Sequence, residues 1–176
     1  MEKPRVKGDV FLRVSAYIVK KWGKAGLARV NMSPDQYKPE TWYPLNDFIS
    51  LLLAIKANLA ESEDSISNIA RDTITSDDRW TWAFKDKNPE VVFSSTARQD
   101  ALYKMGEFNV LETSPGFMRL KMALWENTDE KRDVFAEFYK GRLLGVLDLT
   151  GFKGNVEQKY CTEEGCKNVV YAIFWI

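Results

Sequence analysis

Met118-Arg119-Leu120-Lys121-Met122-Ala123-Leu124 sets an apolar side chain at every second residue, with Arg119, Lys121 and Ala123 between them. A period of two is the spacing of a strand with one buried face, because successive side chains leave a pleated chain on opposite sides. Just upstream, Phe108, Val110 and Leu111 form a short strand-like segment, and Ser114-Pro115-Gly116 separates the two as a turn. Two antiparallel strands follow. Downstream, Thr128 or Asp129 can cap a helix carrying Val134, Phe135, Phe138, Leu143 and Val146. Gly141 and Gly145, four apart, give that helix a bare stripe over which another backbone can pass closely, a use that offsets the cost of glycine in a helix interior. The chain closes on a second hairpin, Val156 to Tyr160 and Val169 to Ile176, around the polar loop Thr162-Glu163-Glu164-Gly165. Its last run, Val-Val-Tyr-Ala-Ile-Phe-Trp-Ile, is apolar on both faces, so this strand belongs at the centre of its sheet or under cover on both sides.

The first half is helical. Val10, Phe11, Val14, Tyr17, Ile18 and Trp22 recur at helical spacing, and Gly23 and Gly26 loosen the end of that helix. Met32 to Tyr43, with Pro34 and Pro39, reads as an irregular connector ending in an extended Trp42-Tyr43. Pro44 fits the first turn of a second helix lined by Phe48, Ile49, Leu52, Ile55 and Leu59. A third helical stretch carries Ile66, Ile69, Ala70 and Ile74. The tract Asp77-Asp78-Arg79-Trp80-Thr81-Trp82-Ala83-Phe84 has no clear period. Asn88-Pro89 has the form of an N-cap with proline at the first helical position, opening a helix through about Met105. The predicted order is four or five helices, then β-β-α-β-β. That is an α+β fold with an N-terminal helical layer on a four-stranded antiparallel sheet.

Composition removes several kinds of function. At 176 residues the chain is one domain, residues 1–176. Twenty-five basic residues balance twenty-five acidic ones, which leaves no electrostatic footprint for nucleic acid or an anionic membrane. Histidine is absent. Serine–histidine and cysteine–histidine catalysis, His-ligated zinc and His-ligated haem are excluded together, since each needs an imidazole. No apolar run approaches the roughly 18 residues of a membrane span, and the N-terminus has the form of neither a signal nor a transit peptide, so a cytoplasmic setting is expected. No P-loop, dinucleotide fingerprint or Gly-x-Ser-x-Gly elbow is present.

Several short motifs occur together in this order. They are Gly8-x-x-Phe11, Trp42-Tyr43-Pro44-Leu45 with Phe48-Ile49, and the Val110–Leu124 hairpin turning at Pro115-Gly116. Phe135-x-x-Phe138-x-x-Gly141-x-Leu143-x-Gly145 and the closing Cys161-x-x-x-Gly165 hairpin complete the set. On these motifs the chain resembles, over nearly its full length, the 4-vinyl-reductase-like and haem-nitric-oxide-binding-like group, which also includes TRAPP vesicle-tethering subunits. The resemblance implies a pocket between helices and sheet, and dimerisation. It implies different guests in different members: haem, phenolic effectors or an acyl chain. Fold alone therefore does not fix the ligand. Haem-binding members hold iron through histidine, which this chain lacks. The regulator members hold zinc through Glu-x-x-Cys followed, after seven residues, by a second cysteine. Here Cys161 keeps the first cysteine while Gln158 and Val169 occupy the other two positions, and Glu157 and Cys166 miss the spacing. One thiolate does not supply a tetrahedral set, so no metal and no cofactor is expected.

Trp80, Trp82, Phe84, Phe93 and Tyr103 fall around the helical region that, by the resemblance, faces the pocket. Aromatic walls suit an apolar or aromatic guest, and an indole N–H can orient its polar end; the commoner role of such rings is core packing. Cys161 and Cys166 admit three readings: inert thiols, a redox pair across a tight loop, or remnants of a metal site. With only Lys159 and Lys167 nearby, inert is preferred. The acidic runs at Asp77-Asp78, Glu126–Glu130 and Glu163-Glu164 are read as solvated loops and helix starts, not acid–base pairs. The expected function is non-enzymatic: a ligand-binding or sensor domain enclosing a small hydrophobic or aromatic molecule between helices and sheet, signalling through a homodimer or a separate partner protein. The alternative is a TRAPP-like assembly protein with no exchangeable ligand. A reductase, suggested only by a family name, has no cofactor motif behind it.

Overall fold

The computed structural model describes residues 4–98, 103–104, 106–124, 129–160 and 168–176. The chain begins with β1 (Arg5–Lys7), α1 (Gly8–Arg29), a 3-10 turn (Pro34–Gln36) and β2 (Trp42–Pro44). Then come α2 (Leu45–Asn58), α3 (Ser65–Thr75), α4 (Asp78–Phe84) and α5 (Pro89–Arg98). The second half runs β3 (Tyr103–Lys104), β4 (Gly106–Ser114), β5 (Phe117–Leu124), α6 (Asp129–Thr150), β6 (Gly154–Tyr160) and β7 (Asn168–Trp175). The fold is α+β, with helices packed on a four-stranded antiparallel sheet of order β4-β5-β7-β6.

The period-two segment forms β5, and its apolar residues Met118, Leu120 and Met122 are buried. Gly116 takes φ +76° in the turn before it, the left-handed region that glycine enters without a Cβ penalty. The strand that is apolar on both faces sits between β5 and β6, as its composition requires. β4 is longer than the Phe108–Leu111 segment suggested. A register shift between Val110 and Glu112 leaves Leu111 unpaired, and Val110 and Leu111 are exposed on this edge strand.

Over the sheet lies α6. Phe108 stacks on Tyr139 at 4.8 Å, Tyr139 meets Tyr171 at 5.9 Å, and the Tyr171 hydroxyl donates to the Ala136 carbonyl at 2.9 Å. Burial raises the Tyr171 pKa well above its ordinary value. On the other side α6 meets α3, and its two interior glycines are the reason the helices can touch. A Cβ on Gly141 would overlap the backbone of Ser67, and one on Gly145 would press on the Arg71 carbonyl and Ile74. The bare stripe is thus occupied by a neighbouring backbone. Arg71 and Asp148 lock the same interface with a two-pronged ion pair at 2.5 and 2.6 Å.

Four features differ from the sequence reading. Pro44 closes β2 instead of opening α2: its ψ of 134° is extended, because it pairs with Arg5 of β1. The helix opened by Asn88-Pro89 starts as expected, with Asn88 Oδ1 accepting from the Glu90 N–H at 2.9 Å. Its described part runs to Arg98, and Tyr103–Lys104, within the expected span to about Met105, instead pairs with β1. Strands β2, β1 and β3 make a small second sheet that no periodicity announced. Finally, Gly23 does more than loosen α1. With φ 68° and ψ −172° it leaves helical geometry and kinks the helix.

Candidate functional site

The tract that showed no period is α4, and its capping explains why it folds. Asp77 is the N-cap: its carboxylate accepts from the Arg79 backbone N–H at 3.1 Å. Trp80 and Phe84, four apart, share one face of the helix and stack at 5.2 Å with planes 21° apart. Trp82 lies on the opposite face and is 86% exposed. No residue of α4 is fully buried.

Trp80 and Phe84 pack, half-buried, against the core, and charge fastens the start of the helix. Asp9 Oδ2, in the first turn of α1, accepts from Arg13 Nε at 2.7 Å and from an Arg79 terminal nitrogen at 3.3 Å. Asp77 Oδ1 accepts from Arg79 Nε at 3.2 Å. Its Oδ2 meets Arg13 at 2.8 Å as an ion contact without hydrogen-bond alignment. Two guanidiniums and two carboxylates therefore form a box between α1 and α4. The Asp77 hydrogen bond and the nearby carboxylates raise the Arg79 pKa further, so its guanidinium stays charged.

Beside this box opens a cleft of about 670 Å³. Trp80, Trp82 and Ala83 give it an apolar wall, and Lys7, Glu40, Asp9 and Arg79 give it a charged rim. Lys7 donates to Glu40 at 2.7 Å and lies 5.6 Å from the Trp42 ring centre. The indole N–H of Trp80 is buried and has no hydrogen-bond acceptor. A buried donor without a partner is uncommon.

Of the five aromatic residues singled out by sequence, Trp80, Trp82 and Phe84 come together on α4. Phe93 goes elsewhere: on α5 it is buried in the core, 6.2 Å from the Trp175 ring. The backbone of Tyr103 pairs with Val6 in β3, and its side chain lies outside the described residues. Cys161, Cys166, Thr128, Lys167 and Glu163-Glu164 also lie outside them, as does Glu126. The cleft is bounded by α4, β1, the start of α1 and the segment before β2, whereas the described rings between α6 and the sheet pack on one another. Lys7 and Glu40 escaped the sequence reading. They are 33 residues apart, and only the pairing of β1 with β2 joins them.

No family model and no curated protein sequence matches the chain. Solved structures do. The chain has the H-NOX fold. It superposes on the Fe(II) unliganded H-NOX protein from K. algicida with a TM-score of 0.70 and 15% identity, covering 97% of this chain and 96% of that one. For the S. oneidensis H-NOX protein in the Fe(II)NO state the values are 0.67 and 12%, over 97% and 99%. For the IWP-051-bound H-NOX from Shewanella woodyi they are 0.63 and 12%, over 95% and 93%. At these identities the likeness is one of fold, and it is to H-NOX structures rather than to the broader group that the motifs resembled.

Iron is named in those relatives, and haem in a study of the H-NOX family. The residues here do not fit a histidine-held haem iron, because the chain contains no histidine. Among the described residues no group of three or more acidic, cysteine or histidine side chains could hold a metal ion. Nor is any described helix long and apolar enough to cross a membrane.

Proposed function

We propose that this chain acts as one non-enzymatic ligand-binding or sensor domain, spanning residues 1–176, for a small hydrophobic or aromatic molecule seated against α4. One observation carries the reading. Trp80 and Trp82 line an open cleft of about 670 Å³ with a charged rim. The volume falls within the usual range for small-molecule sites, and rings with few polar groups are the usual lining. An aromatic guest would stack on Trp82 with its polar end toward the charged rim. The H-NOX fold supports a sensor role without assigning the guest.

Signalling follows from how α4 is held. A guest that binds better to one arrangement of α4 shifts the population toward it. The change passes to a homodimer partner or a separate protein in the cytoplasm. Native mass spectrometry of freshly purified protein, with thermal melts over phenols, fatty acids and porphyrins, tests this. At least one class should raise the melting temperature, since a ligand bound only by the folded form stabilises it. A flat panel with no co-purifying guest overturns the reading.

A second reading is an assembly protein, akin to TRAPP subunits, that works through its surface. Val110 at 42% and Leu111 at 50% exposure on the sheet edge favour it. Sedimentation would then show a heteromer or homodimer whose affinity falls on Leu111→Lys.

A further inference from the structure

The cleft beside α4 holds one charge that its neighbours do not cancel. Lys7 is taken by Glu40 at 2.7 Å. Arg79 is shared between Asp77 and Asp9, and Arg13 bridges the same two carboxylates at 2.8 and 2.7 Å. Those three cations and three carboxylates sum to zero. Asp78 is left over. It lines the cleft, is exposed, and makes no ion pair or hydrogen bond among the described residues.

Its position on the helix matters. Asp78 and Trp82 are four residues apart on α4, so they share one face, with Cβ atoms about 5–6 Å apart in such a pair. The Trp82 ring is also unused: it is largely exposed and meets no other ring and no cation among the described residues. Trp80, by contrast, is stacked on Phe84, and Lys7 lies over Trp42 at 5.6 Å. Indole is the side chain that attracts a cation most strongly to its face. A free carboxylate and a free indole face therefore stand together at the mouth of one cleft, both open to whatever enters it.

The sign of the guest follows. An anion would find Lys7 and Arg79 already paired and would be repelled by Asp78, whereas a neutral ring would leave that carboxylate without a partner. We propose that the cleft takes a free aromatic amine, whose ammonium pairs with Asp78 against the Trp82 face while its ring lies along the wall of Trp80, Trp82 and Ala83. The inference rests on the reading of this cleft as a small-molecule site and narrows its guest from any aromatic molecule to a cationic one. At an exposed site the ion pair and the cation–ring contact are each modest. Together they amount to about tenfold in affinity.

Calorimetric titration of the whole chain with matched compounds tests the assignment: the amines tryptamine and phenethylamine, the alcohols tryptophol and phenylethanol, the anion indoleacetate, and the ringless butylamine. At least one aromatic amine should bind about tenfold more tightly than its alcohol, with indoleacetate weaker than the alcohol and butylamine at least tenfold weaker than the amine. Asp78→Asn should reduce the preference for amine over alcohol to about threefold, the part left to the indole face, without moving the melt of the unliganded chain. Asp78 has no partner to lose, so this variant folds. Glu157→Gln, which removes the same charge from an exposed position on β6 outside the cleft, should leave the preference intact. Alcohols or indoleacetate binding as tightly as the amines would overturn the cationic guest while leaving the cleft a small-molecule site. Butylamine equal to the aromatic amines, or an unchanged preference in Asp78→Asn, would overturn it too. If nothing in the set binds, the proposal falls whether or not the wider panel of phenols, fatty acids and porphyrins yields a guest.

Discussion

Two helices of this domain are fastened in opposite ways. α3 is fixed to α6 by contact between backbones, made possible by Gly141 and Gly145, and most of its apolar residues are fully buried. α4, only a few residues further on, has no fully buried residue and is held by a box of two arginines and two aspartates and by half-buried Trp80 and Phe84 against the core. Close packing has a single good geometry, whereas ion pairs near the surface tolerate displacement and contribute little each. The contrast assigns roles: α3 and α6 form the frame, and α4 is the wall that can respond to a guest.

The frame should break hardest. A methyl at Gly141 has nowhere to go but into the Ser67 backbone, so Gly141→Ala should cost about 3 kcal/mol, at the upper end for overpacking. Gly151 is the matched control. Its φ is +79° with open space around its Cβ position, so Gly151→Ala should cost only about 1 kcal/mol of backbone strain. Urea denaturation of both variants reads the difference. Equal losses would mean that the α3–α6 interface yields more easily than its geometry implies.

Why one region was legible in sequence and the other was not follows from the same contrast. Alternation in Met118–Leu124, the doubly apolar last strand and the Gly141/Gly145 stripe are steric statements, readable without knowing the partner. The Asn88-Pro89 cap was equally local and equally readable. The end of that helix was not, because it depends on Tyr103–Lys104 pairing with Arg5–Val6 at the other end of the chain. Strands of two or three residues are too short to show a period. α4 hid for a related reason: Trp80 and Trp82 face opposite ways, so its apolar residues form no stripe. The rim of the cleft comes from elements far apart in sequence.

Next in size is the attachment of α4. Arg13 contacts both Asp9 and Asp77, and Asp77 is 7% exposed. Arg13→Met leaves that carboxylate with Arg79 alone, an arginine that is itself largely exposed, and should cost about 2 kcal/mol. The loss should be local. Hydrogen exchange of the α4 amides should accelerate while those of α3 stay protected, and tryptophan emission should shift to the red. If α3 and α4 exchange together, the wall is part of the frame.

A smaller effect comes from pH. Three tyrosines, Tyr171, Tyr160 and Tyr37, have pKa values raised first by burial. A raised acid pKa means that the folded chain keeps its proton when the unfolded chain has lost it. Stability from these groups is therefore complete below the unfolded value of about 10 and declines as pH rises beyond it, by up to about 1.4 kcal/mol per pH unit for each proton. Tyr171→Phe should lose about 1 kcal/mol at neutral pH, for its bond to Ala136, and should flatten the alkaline decline. Urea melts between neutrality and strong alkali measure both. A decline equally steep without Tyr171 would place the alkaline sensitivity elsewhere.

Smallest in stability, and most telling for function, is Trp82→Ala. Its ring is 86% exposed, so the folded state should change by less than about 0.5 kcal/mol. A large aromatic ring held in water on a helix that buries none of its residues has no role in packing, and its one structural setting is the wall of the cleft. If a guest stacks there, the substitution should abolish the ligand-induced rise in melting temperature while the unliganded melt stays where it was. Trp80→Phe supplies the complementary case: it trims the wall while keeping a ring stacked on Phe84, and should weaken the panel less than Trp82→Ala does. If both variants bind every member of the panel like the parent, α4 is not the responsive wall, and its tenuous attachment needs another reason.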